Sequence, residues 1–150
     1  MKTIGYLQFD GEAEEALGFY EKALQATNVK KVRFGAFGQN PNAPLTKEEQ
    51  NMIMESRIEF AGNTLMISDV LPFMQAMTGK ITKGNTVLIS IIDADPERNQ
   101  QIFEGLSQEA TIIMPLCSPP WSASFGMLVD KFGVTWKFNS EASKFLDSFM

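Results

Sequence analysis

"FGMLVDKFGVTW", residues 125–136, sets apolar residues on either side of the corner Asp130-Lys131-Phe132-Gly133 and reads as strand, tight turn, strand. A second hairpin of the same kind lies earlier, in "NMIMESRIEFAGNTLMISDV" (residues 51–70), turning at Ala61-Gly62-Asn63. Moving the first half by 71 places lays Gly62-Asn63-Thr64 on Gly133-Val134-Thr135. Upstream of each hairpin the pattern is strand, helix, strand. "TIGYLQF" (residues 3–9) reads as a strand, and Asp10-Gly11 opens a helix with Glu12, Glu14 and Glu15 at its positive end. Ala13, Ala16, Leu17, Tyr20, Ala23 and Leu24 recur at helical spacing and give it one apolar face, with an expected stop near residues 26–28. "VKKVRFGAF" (29–37) reads as the next strand and "GQNPNAPLTKEEQ" (38–50) as a polar loop.

The second half repeats this plan. "TVLISII" (86–92) is a strand ending at Asp93, Asp95-Pro96 starts a helix with Ile102, Phe103 and Leu106 on one face, and "ATIIMPLC" (110–117) is a strand. A shift of 83 lays Phe9-Asp10 on Ile92-Asp93 and Phe19-Tyr20 on Ile102-Phe103. The 12 places separating the two shifts match the longer first-half loop around residues 38–50. The expected fold is α+β, a strand-helix-three-strand (βαβββ) unit used twice. One domain of residues 1–150 is expected, with module one at about 1–70, a linker at about 71–84, module two at about 85–139 and a C-terminal helix at about 140–150. Ala142, Phe145, Leu146 and Phe149 share helical spacing in that last segment and are expected to bury their stripe on the body or on a partner.

Composition limits the chemistry. At 150 residues and 44% hydrophobic content, the chain can bury a sizeable core. No run approaches a membrane span, and "MKTIGYLQFDGEAEE" turns acidic too early for a signal peptide, so a cytoplasmic location is expected. A net charge of −5 disfavours nucleic acid and anionic lipid, and fits a neutral or cationic small molecule. Cys117 is the one cysteine, which rules out an internal disulfide, and its expected role is that of a small apolar residue. There is no histidine: no imidazole proton shuttle, no Ser-His or Cys-His nucleophile, and no His metal ligand. Acid–base work is left to Asp, Glu, Lys, Tyr or Cys.

The segments "YLQFDGEAEEALGFYEKAL", "RIEFAGNTLMISD", "LSQEATIIMPL" and "DKFGVTWKFN" resemble PhnB-like proteins of the glyoxalase, bleomycin-resistance and extradiol-dioxygenase superfamily, the vicinal oxygen chelate proteins. Some members are labelled 3-demethylubiquinone 3-methyltransferases, although no Gly-rich cofactor-binding turn is visible here. The resemblance implies two βαβββ modules, each curling a mixed sheet into half of an open barrel around a cavity, and commonly a homodimer. Metal-dependent members carry one ligand on the first and one on the last strand of each module. Those places fall near Ile4, Met66, Val87 and Lys137, and none is His, Asp or Glu, so no metal and no cofactor are expected.

Strand alternation from those positions points Tyr6 and Gln8, Thr64 and Ser68 beside Met66, Ile89 and Ile91 beside Val87, and Thr135 and Asn139 beside Lys137 into the cavity. Lys137 is either an anchor for an anionic or carbonyl oxygen or a solvated lysine at a strand end. Trp121 and Phe125 are either an aromatic wall over a ligand or, for Trp121, a loop anchor or dimer contact. Trp136 alternates out of phase with Lys137 and is expected under a helix. Glu55 shares a strand face with Arg57 and Glu59, as a polar wall of the pocket or as plain surface. The expected site is therefore Tyr6, Gln8, Glu55, Met66, Ser68, Trp121, Phe125 and Lys137. The expected function is metal-free binding of a small organic molecule, anionic if Lys137 is its anchor. The alternatives are a metal-independent lyase, isomerase or dioxygenase-like enzyme acting through Lys137, Tyr6 or Glu55, and an interaction module with a filled cavity.

Overall fold

The computed structural model describes residues 1–93 and 95–149, in two compact units, Met1–Thr82 and Lys83–Met150. In the first, β1 (Gly5–Phe9) leads into α1 (Ala13–Ala23) and β2 (Asn28–Arg33). A 3-10 turn over Phe34–Phe37 and the short α2 (Lys47–Asn51) then precede the hairpin of β3 (Ile53–Phe60) and β4 (Asn63–Asp69). The helix α3 (Pro72–Thr78) follows. In the second unit, β5 (Ile89–Ile91), α4 (Pro96–Leu106), β6 (Thr111–Cys117), β7 (Phe125–Val129) and β8 (Thr135–Asn139) repeat the order, and α5 (Ala142–Asp147) closes it.

The two sheets have one topology. Their orders are β1-β4-β3-β2 and β5-β8-β7-β6, with the first and last strands of each module parallel and the other pairs antiparallel. The two βαβββ modules expected from the internal repeat are present, and α4 occupies the span of α1 moved by 83 places. The hairpin turn is set by local chemistry: Ala61 and Gly62 both have positive φ (47° and 77°), which suits the right-handed twist of the strands that they join.

Each sheet buries one face under its helix. In the first unit Ala13, Ala16, Leu17 and Tyr20 of α1 are buried with Ile58, Leu65 and Ile67 of the sheet. In the second, Ile102, Phe103 and Leu106 of α4 are buried with Leu128, Trp136 and Phe138, and the Phe103 and Phe138 rings meet edge to face at 5.3 Å. Trp136 is thus on the helix side, as its phase predicts.

Several details differ from the sequence reading. Residues 34–37 leave the strand for a 3-10 turn. The loop 38–50 ends in α2, which a Thr46/Glu49 capping box starts. The segment 71–84 holds α3 rather than a plain linker, and its Phe73 and Met77 are exposed. Cys117 is exposed, because it ends the edge strand β6. In α5, Leu146 and Phe149 are 65% and 77% exposed, so they are not buried on the body of this chain, the first of the two expected alternatives; the side chains of Ala142 and Phe145, and residue 150, lie outside what is described. Among the described residues no helix is long and apolar enough to cross a membrane.

One ion-pair cluster ties α1 to β2. Glu14 accepts from Lys31 Nζ at 3.1 Å and from both terminal nitrogens of Arg33. These bonds, that to Arg33 foremost, hold its carboxyl at about 2, below the ordinary 4.5. A depressed carboxyl stabilises the fold above the unfolded pKa and stops doing so as pH falls through the folded one. The window is therefore about pH 4.5 to 2. Glu14 is half exposed, so the effect is small. Glu14→Gln is expected to cost less than about 1 kcal/mol at neutral pH, with both proteins converging near pH 2. Urea midpoints across that range test this, and a cost undiminished at pH 2 would exclude the ion pair as its source.

Candidate functional site

The face of the first sheet away from α1 is built by register. Tyr6 lies beside Met66 and Gln8 beside Ser68. Met66 pairs with Arg57 and Thr64 with Glu59. Arg57 pairs with Lys30, Glu59 with Asn28 and Glu55 with Val32. Paired residues project to the same side of a sheet. Tyr6, Gln8, Glu55, Met66 and Ser68 therefore share one face, with Ser68 buried and Tyr6 42% exposed. The Tyr6 hydroxyl donates to Glu55 Oε1 at 2.5 Å across the intervening strand. Partial burial, and then the bond to Glu55, raise the Tyr6 pKa above its ordinary value of 10.0. The phenol is thus a proton donor at neutral pH and Glu55 an acceptor.

Beside that pair, Asn28 Nδ2 donates to Glu59 Oε2 at 3.1 Å, and Arg57 Nε lies 3.4 Å from Glu59 Oε1. An open depression of about 420 Å³ runs over this part of the sheet, lined by Lys30, Val32, Glu55, Arg57 and Met66 among others. Lys30 and Val32 are members of this face that sequence reasoning missed. Their alternation is visible in "NVKKVR", but the pairing register that sets them against Arg57 and Glu55 is not.

On the second sheet Lys137 and Phe125 share one face, and Trp121 packs on Phe125. Lys137 pairs with Met127 on one side and Ser90 on the other. Phe125 pairs with Asn139, two residues along the same face of β8. Trp121, 51% exposed, packs edge to face on Phe125 at 6.1 Å and 73°. Lys137 is half-buried and makes no ion pair among the described residues. Ile89 and Ile91 do not join it. They pair with Trp136 and Phe138 on the helix side, and Ser90 takes the position beside Lys137. The expected register of this strand was off by one residue, which moves every side chain to the other face.

Donor geometry bears on metal binding. Among the described residues no three His, Cys, Asp or Glu side chains converge as a metal site would require. Of the four expected ligand positions, Met66 and Lys137 project from the faces described above, while Ile4 and Val87 precede β1 and β5.

Comparison with known proteins agrees with this architecture. Protein YjdN of Escherichia coli strain K12 is 27% identical over 145 residues, covering 93% of this chain and 95% of YjdN. The crystal structure of PA1353 from Pseudomonas aeruginosa is 27% identical over 93% of this chain and 96% of that one, with a TM-score of 0.73. The Bacillus cereus PhnB protein, described as a putative 3-demethylubiquinone-9 3-methyltransferase, shares the fold at a TM-score of 0.66 and 24% identity, covering 93% and 98% of the two chains. Residues 1–139 match the family described as 3-demethylubiquinone-9 3-methyltransferase. With two βαβββ modules of one topology and a family match across both, this chain belongs to that family.

Proposed function

We propose that this chain is a metal-free protein that binds small organic molecules, each module offering the face of its sheet away from its own helix. The observation that carries the reading is the make-up of those faces. Where a metal-dependent relative would carry ligands, this chain has Met66 and Lys137, each among polar anchors and apolar side chains. Apolar contact surface set among fixed polar groups is a combination that small-molecule sites use. The chain has no histidine to restore a conventional metal site. The methyltransferase wording of the family name draws no support from the sequence, which has no Gly-rich turn for a nucleotide-like cofactor.

The proposal includes a cytoplasmic homodimer, and a native mass spectrum of freshly purified protein tests its main parts at once. A metal-free dimer with an organic adduct is the expected result, whereas a stoichiometric divalent ion would overturn the metal-free reading. With the adduct in hand, Trp121→Ala is expected to weaken its binding about tenfold, since a buried aromatic contact is commonly worth 1 kcal/mol or more. Equal affinity by calorimetry would remove the Trp121–Phe125 wall from the site.

A second reading rests on the Tyr6–Glu55 hydrogen bond. A protonated phenol 2.5 Å from a carboxylate is an acid–base pair that suits a metal-independent lyase or isomerase. Under that reading Tyr6→Phe abolishes turnover of a confirmed substrate while leaving its binding nearly intact.

A further inference from the structure

The average charge of the chain favours a neutral or cationic ligand, but the donors and acceptors on the first sheet are balanced otherwise. Glu55 already accepts from Tyr6, and Glu59 accepts from Asn28. The cations are less well served. Arg57 Nε is buried and has no hydrogen-bond partner: Glu59 Oε1 is near enough to attract it at 3.4 Å but does not bond it. A buried N–H left unbonded is costly, and such groups call for a specific acceptor. Lys30 stands directly across from Arg57 in the β2–β3 register and makes no ion pair among the described residues. Like charges directly opposite on neighbouring strands destabilise a sheet. Both features lie in the wall of the same depression of about 420 Å³, whose other lining includes the apolar Val32 and Met66.

Resting on the small-molecule reading, we infer that this depression takes an organic carboxylate, its oxygens on Arg57 and Lys30 and its apolar body against Val32 and Met66. A carboxylate pairs with the exposed part of the half-exposed Arg57 guanidinium, whose charge no hydrogen bond at Nε satisfies, and screens the facing pair of cations. Tyr6 and Glu55, adjoining on the same face, add a polar group for the far end of the ligand. Specificity for the anion is local and runs against the overall charge of −5, so it depends on contact geometry and not on long-range steering.

The test is a titration of the full chain with benzoate, benzamide and benzylamine, three probes alike in ring and different in charge. It is followed through the backbone amide resonances of Lys30, Glu55, Arg57 and Met66. Benzoate is expected to shift these resonances saturably and to bind at least ten times more tightly than benzamide. Lys30→Gln and Arg57→Gln are each expected to weaken benzoate about tenfold and leave benzamide unchanged; Lys30 is exposed, so its variant separates the effect from any folding defect of the other. Benzamide or benzylamine binding as well as benzoate at these residues would overturn the carboxylate assignment while sustaining a small-molecule site. If none of the three moves these resonances, the face is not a site for small aromatic ligands, and both readings fall there.

Discussion

Asp69→Ala is expected to cost about 3–5 kcal/mol, roughly a fifth or more of the stability of an ordinary domain. Asp69 ends β4 and is 4% exposed. Its Oδ1 accepts from the backbone N–H groups of Gly11 and Ala13 at 2.8 and 3.0 Å, and its Oδ2 from that of Ile53 at 2.9 Å. One carboxylate thus ties the start of α1 and the start of β3 to the end of β4. The helix depends on it, because the residue at its N-cap, Glu12, makes no capping hydrogen bond from its side chain. Alanine leaves three backbone donors without that acceptor, each worth about 1–3 kcal/mol when buried and unbonded. Asp69→Asn keeps the shape and one acceptor oxygen but turns its NH₂ toward an N–H, so an intermediate loss is expected. Urea midpoints at constant m-value measure both variants. A change under 1 kcal/mol for Asp69→Ala would mean that the three amides find other acceptors, and the three-way tie would not be what holds the first module together.

How far the sequence reveals this fold depends on the range of the interaction involved. The internal repeat is legible because it is carried by apolar spacing and turn glycines, which are local. The structure extends it to hydrogen bonds: Ser140 Oγ accepts from Ser124 N at 3.1 Å, at the same shift of 71 that relates Asp69 to Ile53. That Asp69 caps a helix 56 residues away is invisible in the string, since no local pattern marks an acceptor reached through sheet pairing. The α2 signal, Thr46 followed by Glu49, stands in plain view within a segment that Pro and Asn make look like loop throughout. The misassigned face of Ile89 and Ile91 has another cause. A strand of three residues holds too little alternation to fix its own phase, and its pairing with β8 decides it. The site divides in the same way. Alternation within β1, β3 and β4 groups Tyr6, Gln8, Glu55, Met66 and Ser68, but Lys30 meets Arg57 only through an interstrand register.

The second module has its own single point of failure, and Trp136→Ala is expected to cost about 3–5 kcal/mol there. Trp136 is fully buried on the helix side of β8 and donates its indole N–H to Asp130 Oδ2 at 2.9 Å. Asp130 in turn accepts from Phe132 N at 2.8 Å and Val134 N at 3.1 Å, which shapes the turn between β7 and β8. Gly133, at a φ of 84°, completes that turn where a β-carbon would come within 2.8 Å of Lys83 Cδ. Truncation to alanine therefore opens a large cavity and removes a donor from a buried carboxylate at once. Trp136→Phe shifts the balance of these effects, because it keeps most of the apolar volume, opens a smaller cavity and removes the N–H entirely, with an expected cost of about 1–3 kcal/mol. Pairing it with Asp130→Asn in a double-mutant cycle gives the coupling, expected to exceed 1 kcal/mol if the bond is what fixes the turn. Lys137 is the next residue on the same strand and projects to the other face, so its position depends on how Trp136 is seated. Trp136→Phe should then leave a ligand at the Lys137 face within about threefold of its original affinity, whereas Trp136→Ala should weaken it much more. Equal losses for the two variants would place the dependence on the indole hydrogen bond and not on the packing beneath the strand.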